Sequence, residues 1–194
     1  MTGKGHLFSG IALSLATYTF TNDINGIGYI AAIGTILGAK APDYLEIRTK
    51  VKDENKKVIG TRTLITHRTI THWLPLWLIA GLFLLIQFEQ SYFPFFSNYN
   101  FNNNEVSNYI FSFFLGYVIG GLLHLITDLP NPMGIPIIHP KKRFSLNLWK
   151  SGKLEFLIVL GILLFSLEYS NLIQFNWLEA KKLFVNIFSN QINV

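Results

Sequence analysis

The stretch YIFSFFLGYVIGGLLHLITDLPNPMG, residues 109 to 134, decides how this chain is read. Its first part, 109 to 127, approaches the roughly 20 apolar residues that a helix needs to cross a hydrocarbon core of about 30 Å. At its end stand two side chains that lipid rejects, His124 and Asp128. Pro130 biases Leu129 away from helical angles, so the helix is predicted to stop near Asp128. Residues at i and i+4 lie one above the other on a helix face, which puts the imidazole about one turn deeper than the carboxylate. Alone, such a pair more often caps a helix end and fills a core than binds a metal. The rest of the sequence has to supply the reason for it.

Working outward, further apolar segments lie at about 7 to 20, 26 to 41, 73 to 88 and 154 to 167. They are shorter than a full span, and flanking Trp and Tyr residues can extend them into the interface. Half the residues are apolar and only 14% are charged, against roughly 25% in soluble domains. The net charge of +5 is not spread evenly. Segment 42 to 72 holds Arg48, Lys50, Lys52, Lys56, Lys57, Arg62 and Arg68, and segment 129 to 153 holds Lys141, Lys142, Arg143, Lys150 and Lys153. The connection at 21 to 25 and the Asn-rich stretch at 89 to 108 hold no Lys or Arg. By the positive-inside rule this alternation predicts a cytoplasmic N-terminus, two basic cytoplasmic loops and a C-terminus on the far side. Lys181 and Lys182 then fall on that far side, where 176 to 190 reads as an amphipathic helix lying on the membrane surface.

The expected fold class is therefore all-α, a multi-span helical membrane protein with about five transmembrane helices and a C-terminal amphipathic helix. Residues 1–194 are read as one membrane-embedded domain, with core spans and loops over 1–170 and the tail over 171–194. No internal repeat is evident, and no cleavable signal is expected. The basic loops follow membrane topology and lack a nucleic-acid-binding module, so nucleic acid is not an expected partner.

Under this topology the histidines His6, His67, His72, His124 and His139 all fall at or near the cytoplasmic ends of the spans, with Asp43, Glu46 and Asp128. Imidazoles and carboxylates at membrane depth are costly enough to be functional by default. In THRTITHW, residues 66 to 73, His67 and His72 would point about 140° apart on a continuous helix, so they converge only if the backbone turns between them. Pro75 provides for that turn by starting the third span near His72. Arg68 beside them is placed to pair with a carboxylate or bind an anionic substrate oxygen. In GAKAPDYLE, Gly38 and Pro42 end the second span and deliver Asp43 to the same face.

Cysteine is absent, so a metal would be held by histidine, carboxylate or backbone oxygen. The expected ligands are Asp43, His67, His72, His124 and Asp128, with His6 a further ligand or acid/base partner. This donor set suits Zn²⁺, with Mn²⁺ or Fe as alternatives, as one or two ions. A site with an open position activates water, which makes hydrolysis of an ester or phosphoester, perhaps of a lipid, the expected chemistry. A non-catalytic membrane protein with a structural or ion- or partner-binding cluster is the first rival, because no zincin H-E-x-x-H motif or phosphate-cradling glycine loop demands turnover. A soluble helical metallohydrolase with an oily core is the second.

His6, G-A-x-x-P-D at 38 to 43, H-R-x-x-T-H at 67 to 72, and H-x-x-x-D-x-x-N-x-x-G at 124 to 134, followed by a proline and K-K-R-x-S-L, together resemble the YdjM-like family of inner-membrane, metal-dependent hydrolases. The likeness runs over roughly residues 3 to 165. It implies a multi-pass protein of the bacterial inner membrane with a metal site, which the loop charges place on the cytoplasmic face. The sequence departs from the family at Leu45, where a second aspartate is common and Glu46 is the nearest substitute, and at His139, which stands in a stretch otherwise apolar or aromatic. Asn131 and Gly134 would shape the turn after the fourth span, with Asn131 capping backbone groups or orienting a ligand. Lys141, Lys142 and Arg143 either draw phosphate or anionic headgroups to the site or anchor the loop.

Overall fold

The computed structural model describes residues 1–25, 27–46, 48–52, 58–63, 68–88 and 105–173. These are mostly helical. The long helices are α1 (Gly3–Asn25), α2 (Gly28–Gly38), α4 (Leu74–Phe88), α5 (Glu105–Asp128) and α6 (Glu155–Tyr169). They fall where the apolar segments predict them, and α5 ends at Asp128, two residues before Pro130, as its missing N–H requires. The segment expected to be helical over 26 to 41 is broken. α2 stops at Gly38 and a separate turn, α3 (Ala41–Tyr44), restarts with Pro42 in its first turn, where proline is tolerated.

Two short antiparallel pairs are additions that hydrophobic patterning did not predict. β1 (Arg48–Lys52) pairs with β2 (Val58–Thr63) in the first basic loop, and β3 (Ile135–Pro136) pairs with β4 (Arg143–Phe144) in the second. The Asn-rich stretch up to 104, His67 and the expected tail helix at 176 to 190 lie outside the described residues.

By length and composition, one helix among the described residues can cross a membrane alone, over Asn108–Asp128. At 1.5 Å per residue α2 reaches only about 16 Å. It packs closely against α5. Gly34 and Gly38 on α2, and Gly116 and Gly120 on α5, each sit where a Cβ would collide with the other helix's backbone. Two G-x-x-x-G faces therefore meet, and the helices run parallel in near backbone contact. On the other side of α5, Gly121 makes room for the Trp77 ring of α4.

The helices alternate in direction. Thr2 at the start of α1 meets Glu155 at the start of α6, and Thr19 meets Ser170 near their far ends with Oγ1···Oγ at 2.8 Å. α1, α4 and α6 thus begin at the end of the bundle where α2 and α5 finish. The radial distribution of residues is unusual for a water-soluble fold. Ser9, Thr17, Thr21, Thr35, Ser112, Thr127 and Ser166 are buried, whereas Phe8, Ile33, Leu78, Ile79, Phe83, Ile126, Phe156 and Leu157 are exposed.

Candidate metal centre

The polar end of the bundle is assembled from the ends of α1, α2, α4 and α5. Close packing of α2 on α5 carries the carbonyl of Ala39 to His124, whose Nδ1 lies 2.8 Å from it. A carbonyl only accepts, so Nδ1 of His124 carries the proton and the neutral ring turns a bare Nε2 inward. His72 is delivered by a single 3-10 turn, Ile70–His72, immediately before α4. Its Nδ1 lies 3.1 Å from Thr71 Oγ1 and 3.6 Å from Glu46 Oε1. His6, on the second turn of α1, has its Nδ1 3.2 Å from Thr127 Oγ1. That hydroxyl donates to the carbonyls of Leu123 and His124, both at 3.0 Å, which leaves its lone pair to accept from His6. Each of the three rings is thus anchored through Nδ1, with Nε2 facing its neighbours.

What the Nε2 atoms face is a cluster of ligand-type atoms. His72 Nε2 is 3.3 Å from His124 Nε2 and 3.4 Å from Asp43 Oδ1. His124 Nε2 is 3.8 Å from Asp43 Oδ1 and 3.8 Å from Asp128 Oδ2, and His6 Nε2 is 3.3 Å from Asp128 Oδ1. Ligand atoms about 2.0–2.1 Å from a tetrahedral ion are about 3.3 Å from one another. The sets His6, Asp43, His124 and His72, His124, Asp128 share His124, and these groups could hold a metal ion.

Asp128 is the most heavily partnered member. Arg68 Nη2 reaches its Oδ2 at 2.6 Å, Asn131 Nδ2 donates to Oδ1 at 2.8 Å, and the amino group of Met1 also pairs with Oδ1. Arg68 is itself tightly fixed. Its backbone takes a left-handed φ of 55°, its N–H donates to Glu46 Oε1 at 3.0 Å, and its Nη1 donates to the carbonyl of Gly134 at 3.0 Å. Gly134 has φ of 54°, and a Cβ there would meet the backbone of Phe144 on β4. The β3–β4 pair therefore serves the centre: it holds the turn whose carbonyl seats Arg68, and Arg68 holds Asp128.

His6, His72, His124 and Asp128 are all buried, whereas the Asp43 side chain is 39% exposed and forms the edge of the site open to its surroundings. Burial pushes the Asp43 carboxyl up, but a hydrogen bond with His72 and the fields of His124, His72 and His6 outweigh it, bringing the pKa down to about 2. The carboxylate is thus kept ionised beside imidazole edges that a cation would engage.

The structure brings together Asp43, His72, His124 and Asp128, with His6 and Arg68 beside them. His67 lies outside the described residues, and His139 is exposed on the second loop, its Nδ1 accepting from the N–H of Lys141 at 3.2 Å. The anion that Arg68 meets is Asp128. Glu46 stands on the Nδ1 side of His72, where it forms a third group with Asp43 and His72 that could hold a metal ion, and Asn131 orients Asp128 instead of capping backbone. Sequence reasoning missed Thr127 and the Ala39 carbonyl. Thr127 carries a readable signal, lying three residues after His124 on the same helix; a backbone carbonyl carries none.

A family model described as YdjM inner membrane protein matches residues 1–189. No curated protein and no solved structure matches the chain.

Proposed function

The chain belongs to the YdjM inner membrane protein family, and from that premise we propose that it is a multi-pass membrane protein with a metal-dependent hydrolase site on its cytoplasmic face. The radial distribution supports several spans: a bundle with serine, threonine and histidine inside and Phe, Leu and Ile outside suits lipid as its surroundings. Short α2 and α4 are then accommodated by close packing on α5 and by local thinning.

The observation that carries the metal assignment is the shared orientation of three imidazoles, each anchored at Nδ1 and each offering Nε2 near a carboxylate oxygen. This is the arrangement by which outer groups fix the tautomer of metal-binding histidines. His72, His124, Asp43 and Asp128 would hold a divalent ion, with Zn²⁺ the best match to nitrogen and oxygen donors at near-tetrahedral separations. Such an ion supplies Lewis acidity and brings the pKa of a water toward about 7. His6 contacts Asp128 and stacks on His124 with ring centroids 3.6 Å apart, a position from which it can take up or return a proton. Asp43 marks the side from which a substrate enters. An ester or phosphoester at the membrane surface is the substrate class we assign.

The non-catalytic reading draws on a specific observation as well: Asp128 is already paired by Arg68, Asn131 and Met1. Elemental analysis of detergent-purified protein, followed by hydrolysis of nitrophenyl esters and phosphoesters before and after chelation, separates the two. Near-stoichiometric zinc with chelator-sensitive, zinc-restored turnover is expected. Zinc without turnover on either substrate class favours the ion-binding form of that reading, and absence of metal overturns the hydrolase reading and leaves the cluster a structural one.

A further inference from the structure

On α5, the residues Leu122 and Ile126 lie about 200° around the helix from His124. They face a groove that the metal centre does not use. This groove, of about 510 Å³, is lined wholly by apolar residues of α1, α5 and α6, and it continues into a further hollow of about 160 Å³ that ends at Phe20 and Tyr169. Its depth comes from Gly161: nothing lies within 4 Å of where a Cβ would stand. Ile158, Gly161, Phe165 and Tyr169 recur at helical spacing along one stripe of α6. From Ile158 to Tyr169 that stripe covers about 16 Å at 1.5 Å per residue, close to half of the roughly 30 Å hydrocarbon thickness. One leaflet's acyl chain has that reach.

Just before α6, and four residues before Ile158, Leu154 lines a second cavity, of about 720 Å³, with Trp149, Lys150 and Lys153. Three left-handed residues, Asn147, Gly152 and Leu154, curl the loop around that cavity. Trp149, whose Nε1 is buried without a hydrogen-bond partner among the described residues, stands in the wall of that cavity beside the two cations. The nearest carboxylate in sequence, Glu155, is engaged by Thr2 and by the N–H of Gly152 and does not line the cavity. Charge and shape are therefore complementary to an anionic head joined to an apolar tail.

We propose that this face binds one anionic phospholipid, its acyl chain in the groove over Gly161 and its phosphate in the cavity at Trp149, Lys150 and Lys153. The inference rests on the membrane placement above, but not on the metal centre, because the lipid lies on the opposite face of α5 from His124. It is a bound partner of the bundle, seated where it fills the gap between α5 and α6 over Leu13 of α1.

Native mass spectrometry of the detergent-purified protein, titrated with phosphatidylglycerol and with phosphatidylcholine of the same chains, tests the proposal. Phosphatidylglycerol should bind about tenfold or more tightly than phosphatidylcholine, since each basic residue near a phosphate adds to the attraction. Gly161→Phe, which enters open space, should lower occupancy by both lipids. The double variant Lys150→Glu with Lys153→Glu should remove the preference for phosphatidylglycerol, and inorganic phosphate should not compete. Metal content, measured on the same preparations, should be unchanged, which separates failure here from failure of the hydrolase reading. Unaltered binding of both lipids by Gly161→Phe, equal binding of the two lipids by the unsubstituted protein, or displacement by inorganic phosphate overturns the proposal.

Discussion

Each imidazole in the cluster is held from behind. His124 leans on the Ala39 carbonyl, His72 on Thr71 and Glu46, and His6 on Thr127. Outer partners of this kind are worth about 10- to 100-fold in metal affinity. Glu46→Gln and Asn131→Ala should each weaken zinc binding by that factor while leaving the protein folded, as read by competition with a chelator and by gel filtration. Asp43 is held at about 2, well under the ordinary carboxylate value, so its oxygens stay charged as pH falls from 7 to 4. Asp43→Asn, which removes that charge, should therefore lower zinc affinity across this whole range, as read by chelator competition at pH 7 and pH 5. Residue type and position were legible at this scale, because histidine and aspartate beside oily runs are conspicuous. Arg68 was visible as a cation but not as the clamp on Asp128, because that role depends on Gly134 arriving from 66 residues further along the chain.

Helices α1, α4, α5 and α6 could be read from hydropathy because apolar runs bounded by proline and polar residues leave little choice. The break between α2 and α3 was partly announced by Pro42. The G-x-x-x-G faces at Gly34 and Gly38 and at Gly116 and Gly120 are in the sequence, but only their partnership gives them meaning, and pairing between elements is not written in either one. This contact positions Ala39 behind His124, so packing and chemistry are coupled. Gly116→Leu or Gly38→Leu would force the backbones apart, at a cost of about 1–3 kcal/mol or more, and should reduce both thermal stability in detergent and zinc occupancy. A loss of stability with zinc fully retained would uncouple the α2–α5 contact from the centre. The two strand pairs could not be read because loops of this composition lack the alternation that marks a strand.

Across the whole molecule, direction of travel and charge agree. α1, α4 and α6 start at the end where α2 and α5 stop, which is also where the second basic loop lies. The chain has no cysteine, so single cysteines introduced at Lys4, Lys141 and Asn102 report sidedness cleanly. Positions 4 and 141 should react with an impermeant maleimide only after the cytoplasmic face is opened, and position 102 should react from the outside. Reaction of all three from one face would remove the topology. The account as a whole depends on the ends of four helices gripping one cation through nitrogen and oxygen. X-ray absorption at the zinc edge of the metal-loaded protein measures that directly. It should show a shell of nitrogen and oxygen at about 2.0 Å with the outer scattering of at least two imidazoles, reduced by His124→Ala. A zinc environment without imidazole, or one unchanged by that substitution, would contradict it.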